Sequence, residues 1–331
     1  MTRFVCFGEI LIRLSAPGRE LLLQTPRLTA HYGGAEANVA VSLAHFGHDA
    51  GMATVLPDNP LGHAAIGELR RYGVDVANIA IGAGRMGLYF FAPGAGQRPA
   101  DITYDRAGSA LARANPNAID WSAALAGAGW LHVSGVTPAL SHAAAEMTLN
   151  AMRSARAAGV GVSYDANYRA KLWEARGDDP KPTLNALFSE ADLAFAEARD
   201  IALATGERAS NSEEAATLAF ERYPKLQRIA ATTRNILSAD HHELAAKMFT
   251  RAGSTRTRTH SITGIIDRIG GGDAFAAGLL HGLANGLPDQ DMLDFALGAA
   301  CLKHSIPGDF NLATADDVRL YLSGAGSDVR R

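Results

Sequence analysis

Residues 267–280 read DRIGGGDAFAAGLL. Three glycines stand before an acid, Asp273, and an apolar run follows in which Phe275, Leu279 and Leu283 recur at helical spacing. Glycine packs nothing and costs entropy, so three in a row need a reason. One reason is close approach of the backbone to a ligand. A helix start offers unpaired N–H groups and a partial positive charge, which suits an anion. Asp273 then has two readings: a capping acid after a loop, or a proton acceptor beside the anion. The stretch alone leaves both open.

Around it, short apolar runs bounded by turn residues alternate with longer helical patterns. FVCFG, GMATVL, WLHVSG, VGVSYD, DLAFA and RIAATT read as strands. EANVAVSLAHFG, HAAIGELRRYG, SHAAAEMTLNAMRSARAAG and SEEAATLAFERY read as helices. Buried strands alternating with helices predict an α/β fold with a mostly parallel sheet covered on both faces. Two segments break the alternation, 10–34 and 87–108. Each has extended runs around a turn (APG, APGAGQRP) and reads as a β-hairpin. Such hairpins would stand over the ligand crevice at the strand ends and form a small β lid.

The chain has 331 residues, 47% of them hydrophobic and 20% charged, which is ordinary for a water-soluble globular chain. A formal net charge of −3 argues against a nucleic-acid or membrane-surface partner. Cys6 and Cys301 are the only cysteines, so no disulfide framework is expected and a reducing, cytoplasmic setting is. The N-terminus reads as a strand and not as a signal peptide, and no apolar run suits a membrane helix. The final GAGSDVRR reads as a frayed tail. Trp121, Trp130 and Trp173 read as core residues, and the adjacent His241 and His242 have the wrong spacing for metal ligands.

GGAEANVAVSLAHFG (33–47) is a second glycine-flanked helix start, with Asn38 one turn inside it. Two such starts suggest two reactants. Together the two stretches resemble the paired signatures of the ribokinase-like (PfkB-type) carbohydrate kinases, one early and one late, and the resemblance covers essentially the whole chain. YDRAGSA (104–110), DANYRAKLW (165–173), DRIGGGD and KHSIPGDFN (303–311) further resemble the 2-keto-3-deoxygluconate kinases of that family.

The resemblance implies a single three-layer α/β/α domain and an ATP- and Mg²⁺-dependent kinase acting on a terminal hydroxyl of 2-dehydro-3-deoxy-D-gluconate. Other kinases of the family, such as a fructokinase, or a non-catalytic sugar-binding relative, are the alternatives. It implies Asp273 as catalytic base and Gly270, Gly271 and Gly272 as an anion hole. Gly34, Asn38, Tyr89, Tyr104, Arg106, Arg169 and Asp309 match sugar-contacting positions, with Arg169 reading a carboxylate. Arg234, Asp267, Gly270 and Gly272 fall on the nucleotide side. Many relatives carry an N-x-x-E motif near Mg²⁺; here the stretch is EARD, with Glu197 and Asp200 acting through water. Arg268 stands where Thr, Ser or Pro is commoner. Apolar lid residues such as Leu21, Leu22, Leu23, Tyr89, Phe90 and Phe91 lead to the expectation of a homo-oligomer through the lid.

Overall fold

The computed structural model describes residues 1–324, and residues 325–331, nearly all of the expected tail, lie outside the described residues. The chain opens with β1 (Arg3–Phe7), β2 (Leu11–Ser15), β3 (Thr29–Gly33), α1 (Ala35–His45), β4 (Asp49–Pro57), α2 (Pro60–Arg71) and β5 (Ile79–Gly82). Next come β6 (Gly87–Ala92), β7 (Asp101–Asp105), α3 (Trp121–Ala124), β8 (Trp130–Ser134), α4 (His142–Ala157) and β9 (Gly161–Asp165). They lead to α5 (Ala170–Arg176), α6 (Lys181–Glu190), β10 (Leu193–Phe195), α7 (Ala198–Thr205), α8 (Ser212–Arg222) and β11 (Arg228–Ser238). The last part holds β12 (His241–Thr250), β13 (Gly253–Arg256), β14 (His260–Thr263), α9 (Gly271–Ala284), α10 (Asp289–Lys303) and α11 (Ala315–Ser323).

The large sheet runs β13-β12-β11-β10-β9-β8-β1-β4-β5, with β14 also on β12. From β5 to β11 every pairing is parallel. Alternation on β1 shows why the sheet is covered on both faces. Phe4 and Cys6 enter one core cluster with α1, α9 and α10, while Val5 and Phe7 enter the other with α4, α6 and α8. On β4, Met52 and Leu56 join the first cluster and Ala53 and Val55 the second. Trp121 and Trp173 are buried in the second cluster, and Trp130 packs half-buried against the first. Both cysteines are buried and unpaired. Among the described residues, no helix is long and apolar enough to cross a membrane.

Two antiparallel pairs, β2–β3 and β6–β7, join through a parallel β2–β6 pairing into a separate four-stranded sheet, β3-β2-β6-β7. Leu11, Tyr89 and Phe91 are buried on one face of it, and Ile12 on the other face joins the core beside α1. Alternation therefore absorbs most apolar residues of these segments within one chain. Leu21 (55%), Leu23 (64%) and Tyr104 (47%) remain exposed. The antiparallel extension β12–β14 carries no strong sequence signal, because its residues mix His, Glu, Lys and Thr with short apolar pairs.

Helix α9 is held by α1 on one side and α10 on the other, and this fixes where its N-terminus points. The approach to α10 is close: a Cβ on Gly278 would lie 2.6 Å from the Ala296 backbone. Gly278→Ala should force the two helices apart and cost about 1–3 kcal/mol, the usual scale of overpacking. Urea unfolding checks this; a variant as stable as the wild type would mean that the helices slide without penalty.

Candidate active site

A cavity of about 550 Å³ lies where the parallel strands end, between the large sheet and the four-stranded sheet. Its floor is the start of α9. Gly270 is the N-cap in the left-handed region (φ 82°), and a Cβ there would lie 2.0 Å from the Asp309 carbonyl oxygen. No other residue satisfies both demands. The Gly271 N–H donates to the Arg268 carbonyl at 3.2 Å. The N–H groups of Gly270, Gly272 and Asp273 have no acceptor among the described residues. The free donors are thus not the three glycines as a block: Asp273 takes the place of Gly271. A Cβ on Gly272 would meet nothing within 4 Å, so its absence keeps the cavity floor open.

Asp273 follows in the first turn, half-buried. Its Oδ2 accepts from Asn38 Nδ2 at 2.6 Å, and Asn38 Oδ1 in turn accepts from the Gly34 N–H at 3.3 Å. The second glycine-flanked helix start therefore orients the acid of the first. Burial pushes the Asp273 carboxyl up to about 7 against the pull of Asn38; the charges of Glu36 and Asp309 add to the rise and Arg169 opposes it. Sequence reasoning missed the neighbour Asp165, at the C-terminal end of β9. Burial, and next the charge of Asp273, push Asp165 up to about 8. An acid at the end of a buried parallel strand was the available signal.

The remaining candidates divide by what already holds them. Arg106 is buried and paired with Glu9, its Nε donating to Glu9 Oε2 at 2.8 Å. Tyr104 is exposed at the cavity rim, and Gly34 lies at the base of α1. Arg169, the N-cap of α5, lines the cavity and makes no ion pair or side-chain hydrogen bond among the described residues. Arg234, on β11, also lines it without an ion pair; burial and then the charge of Arg268 lower its pKa. Glu197 and Asp200 line the wall at the start of α7, where Asp200 Oδ2 accepts from the Glu197 N–H at 2.8 Å. The second oxygen of Asp200, Oδ1, is buried without a hydrogen-bond partner. Burial raises the Asp200 pKa.

Asp267, Asp309 and Tyr89 belong to a buried cluster around a residue that the sequence did not single out. Arg13, on β2, is 3% exposed. Its guanidinium reaches Asp267 at 2.7 Å and Asp309 at 3.1 Å, and it stacks 4.0 Å from the Phe91 ring. Tyr89 donates to Asp309 at 2.5 Å. Asp267 also accepts from the N–H groups of Ile269 and Gly308, both at 3.0 Å, and it does not line the cavity. Lys303, fully buried, donates to the Ile306 carbonyl at 2.8 Å and, more weakly, to the Asp267 carbonyl at 3.5 Å. Burial lowers its pKa to about 8. Arg13 and Lys303 thus balance Asp267 and Asp309 directly under the α9 N-terminus.

Residues 1–311 match the family described as pfkB family carbohydrate kinase. A 2-dehydro-3-deoxygalactonokinase of Haloferax volcanii is 32% identical over 99% of this chain and 98% of its own length. A 2-dehydro-3-deoxygluconokinase of Bacillus subtilis is 27% identical over 96% of this chain and 95% of its own. Among solved structures, a 2-dehydro-3-deoxygluconokinase of Thermotoga maritima superposes with a TM-score of 0.91 and 38% identity, covering 98% of this chain and all (100%) of that one.

The Arg13 cluster makes a pH-dependent forecast. Arg13→Met leaves two buried carboxylates with Lys303 as their remaining cation, a change that costs about 3–5 kcal/mol. Burial already raises Asp309 and Arg13 holds it down, so without Arg13 the carboxyl rises further. The penalty falls on the ionised form and should grow between pH 5 and pH 8. Urea unfolding at both pH values reads it; a loss independent of pH would mean that Arg13 acts through packing alone.

Proposed function

Since the chain belongs to the pfkB family of carbohydrate kinases, we propose that it transfers the γ-phosphoryl group of ATP to the terminal hydroxyl of 2-dehydro-3-deoxy-D-gluconate. The observation that carries the reading is the pairing of Asp273, a carboxyl poised near neutrality, with unpaired N–H groups in the same helical turn. Asp273 takes the hydroxyl proton as that oxygen forms its bond to the γ-phosphorus. The bond from phosphorus to the bridging oxygen breaks and ADP leaves with the electron pair. The free N–H groups of Gly270, Gly272 and Asp273 face the charge on the transferring group. Asn38 orients the base and leaves its second oxygen able to accept a proton. Arg234 takes the nucleotide phosphates.

Magnesium suits one or two protein carboxylates with phosphate and water completing its shell. Glu197 and the Asp200 oxygen that accepts no hydrogen bond fit that donor set, and Mg²⁺ held there would neutralise phosphate charge.

The sugar-acid assignment rests on Arg169. Arg106 is charge-balanced by Glu9, so it suits a hydroxyl or keto oxygen. Arg169 has no carboxylate partner and lies close enough to Asp273 and Asp165 to pull both pKa values down. A neutral ketose needs no cation there; a sugar acid does. The named substrates of the Haloferax, Bacillus and Thermotoga relatives are sugar acids of this class, which supports the reading.

Two measurements test it. The first is the pH profile. With Asp273 near 7, kcat/KM should fall about tenfold per pH unit below that value. Asp273→Asn should lower kcat at least about 100-fold with ATP binding nearly unchanged. A near-normal kcat in that variant removes Asp273 from the mechanism. The second is a substrate panel of 2-dehydro-3-deoxygluconate, its C4 epimer and fructose. The acids should exceed fructose by about one to two decades in kcat/KM, as one charged contact worth about 1.5–3 kcal/mol implies. Arg169→Lys should erode that margin, because an ammonium lacks the fork. Equal activity on fructose would return the enzyme to the fructokinase alternative.

A further inference from the structure

Arg268 sits inside the glycine loop at a position the sequence comparison left without a role. Its backbone is fixed on both sides. Its carbonyl accepts from Gly271 N–H at 3.2 Å, and the side chain of its neighbour Asp267 is locked by Arg13 and by the Ile269 and Gly308 N–H groups. Its own guanidinium has no hydrogen bond and no ion pair among the described residues, yet it lines the same cavity as Arg234 and the α9 start. The cavity wall holds five arginines. Arg106 is matched by Glu9 and Arg199 by Glu197, while Arg169 stands on the side of Asp165 and Asp273. That leaves Arg234 and Arg268 repelling each other in one corner, a repulsion that Glu197, already paired with Arg199, offsets only in part.

A like-charge pair at a partly desolvated wall raises the energy of the empty protein unless an anion joins it. One carboxylate supplies a single negative charge. A di- or triphosphate supplies several charges spread over oxygens that two guanidinium forks and the free N–H groups can share. We propose that Arg268 is a nucleotide-phosphate-binding residue that works with Arg234 as a two-arginine clamp on the polyphosphate, a role resting on the kinase reading above. The clamp adds charge on the nucleotide side only. It makes polyphosphate length, and not the base, the main determinant of affinity at this corner.

The test uses the full chain with Arg268→Ala, Arg268→Lys, Arg234→Ala and the double alanine variant. Calorimetry with ADP alone, in the absence of sugar, reads the clamp directly. Arg268→Ala should weaken ADP binding and raise the KM for ATP by about 10- to 100-fold, with the KM for the sugar acid changed less than about threefold. Arg268→Lys should fall between, because it keeps the charge and loses the fork. The double variant should lose less than the product of the single losses, since each alanine also relieves the repulsion. The melting temperature of the ligand-free Arg268→Ala variant should match or exceed that of the wild type while its ADP-induced rise shrinks. Unchanged ADP binding overturns the clamp, and so does a larger effect on the sugar acid than on ATP, which would assign Arg268 to the carboxylate. Equal losses for both reactants, with a lowered ligand-free melting temperature, assign it a structural role. All of these outcomes leave the kinase reading standing; absence of any ATP-dependent phosphorylation in the wild type would instead defeat that reading itself.

Discussion

The Arg13 guanidinium is the constraint on which the rest of the site depends. One side chain from the four-stranded sheet reaches two acids from opposite ends of the C-terminal region, Asp267 before the glycine loop and Asp309 after α10. Because all three groups are buried, none can be lost without stranding a charge. The cluster therefore sets the separation between the four-stranded sheet and the α9 N-terminus. Asp309 carries the constraint further, through Tyr89 into β6, and its carbonyl oxygen stands where a side chain on Gly270 would go. The loop that displays the free N–H groups is pinned by ionic contacts beneath it and by helix packing behind it.

How much of this could be read from the sequence follows from the range of each interaction. The alternation of apolar runs is local, and β1, β4, β8, β9, β10 and β11 fall on the runs FVCFG, GMATVL, WLHVSG, VGVSYD, DLAFA and RIAATT. The two glycine-flanked helix starts are local too, and the structure brings both to one cavity through the Asn38–Asp273 bond. Arg13 was not legible for the same reason. In the strand LIRLS an arginine between leucine and isoleucine reads as the solvent side of an alternating strand. Its partners are more than two hundred residues away, and nothing in the pattern links them. Arg106 and Asp309 were singled out as substrate contacts, but Glu9 and Arg13, which hold them, leave no motif. Local chemistry marks a residue as functional; only the fold says whether its charge is already matched.

Charge matching also sorts the cavity into zones. On one side Arg169 faces two carboxyls with raised pKa values, Asp165 and Asp273. On the other Arg234 and Arg268 face each other, with Glu197 and His242 nearby. Between them lie backbone donors that carry no titratable charge. Placing Asp165 and Asp273 beside one arginine and apart from the pair Arg234 and Arg268 spares them the stronger positive field, which would depress their pKa values.

The three glycines answer to three different surroundings. Gly270 is required by a left-handed backbone and by the Asp309 carbonyl oxygen where its Cβ would be. At Gly271 a Cβ would lie 3.1 Å from the His304 ring, a crowding that a small shift of the ring could relieve. Gly272 has no neighbour at all within 4 Å. A side chain there would be sterically free and would fill the cavity floor in front of Asp273. The first glycine is thus a demand of the fold, the second a demand of packing, and the third a demand of whatever occupies the cavity. An alanine at 272 should leave the fold untouched and obstruct only the ligand, whereas one at 270 would break the loop before any ligand arrived. The run that looks like one motif in the sequence is the place where structural and functional constraints meet residue by residue.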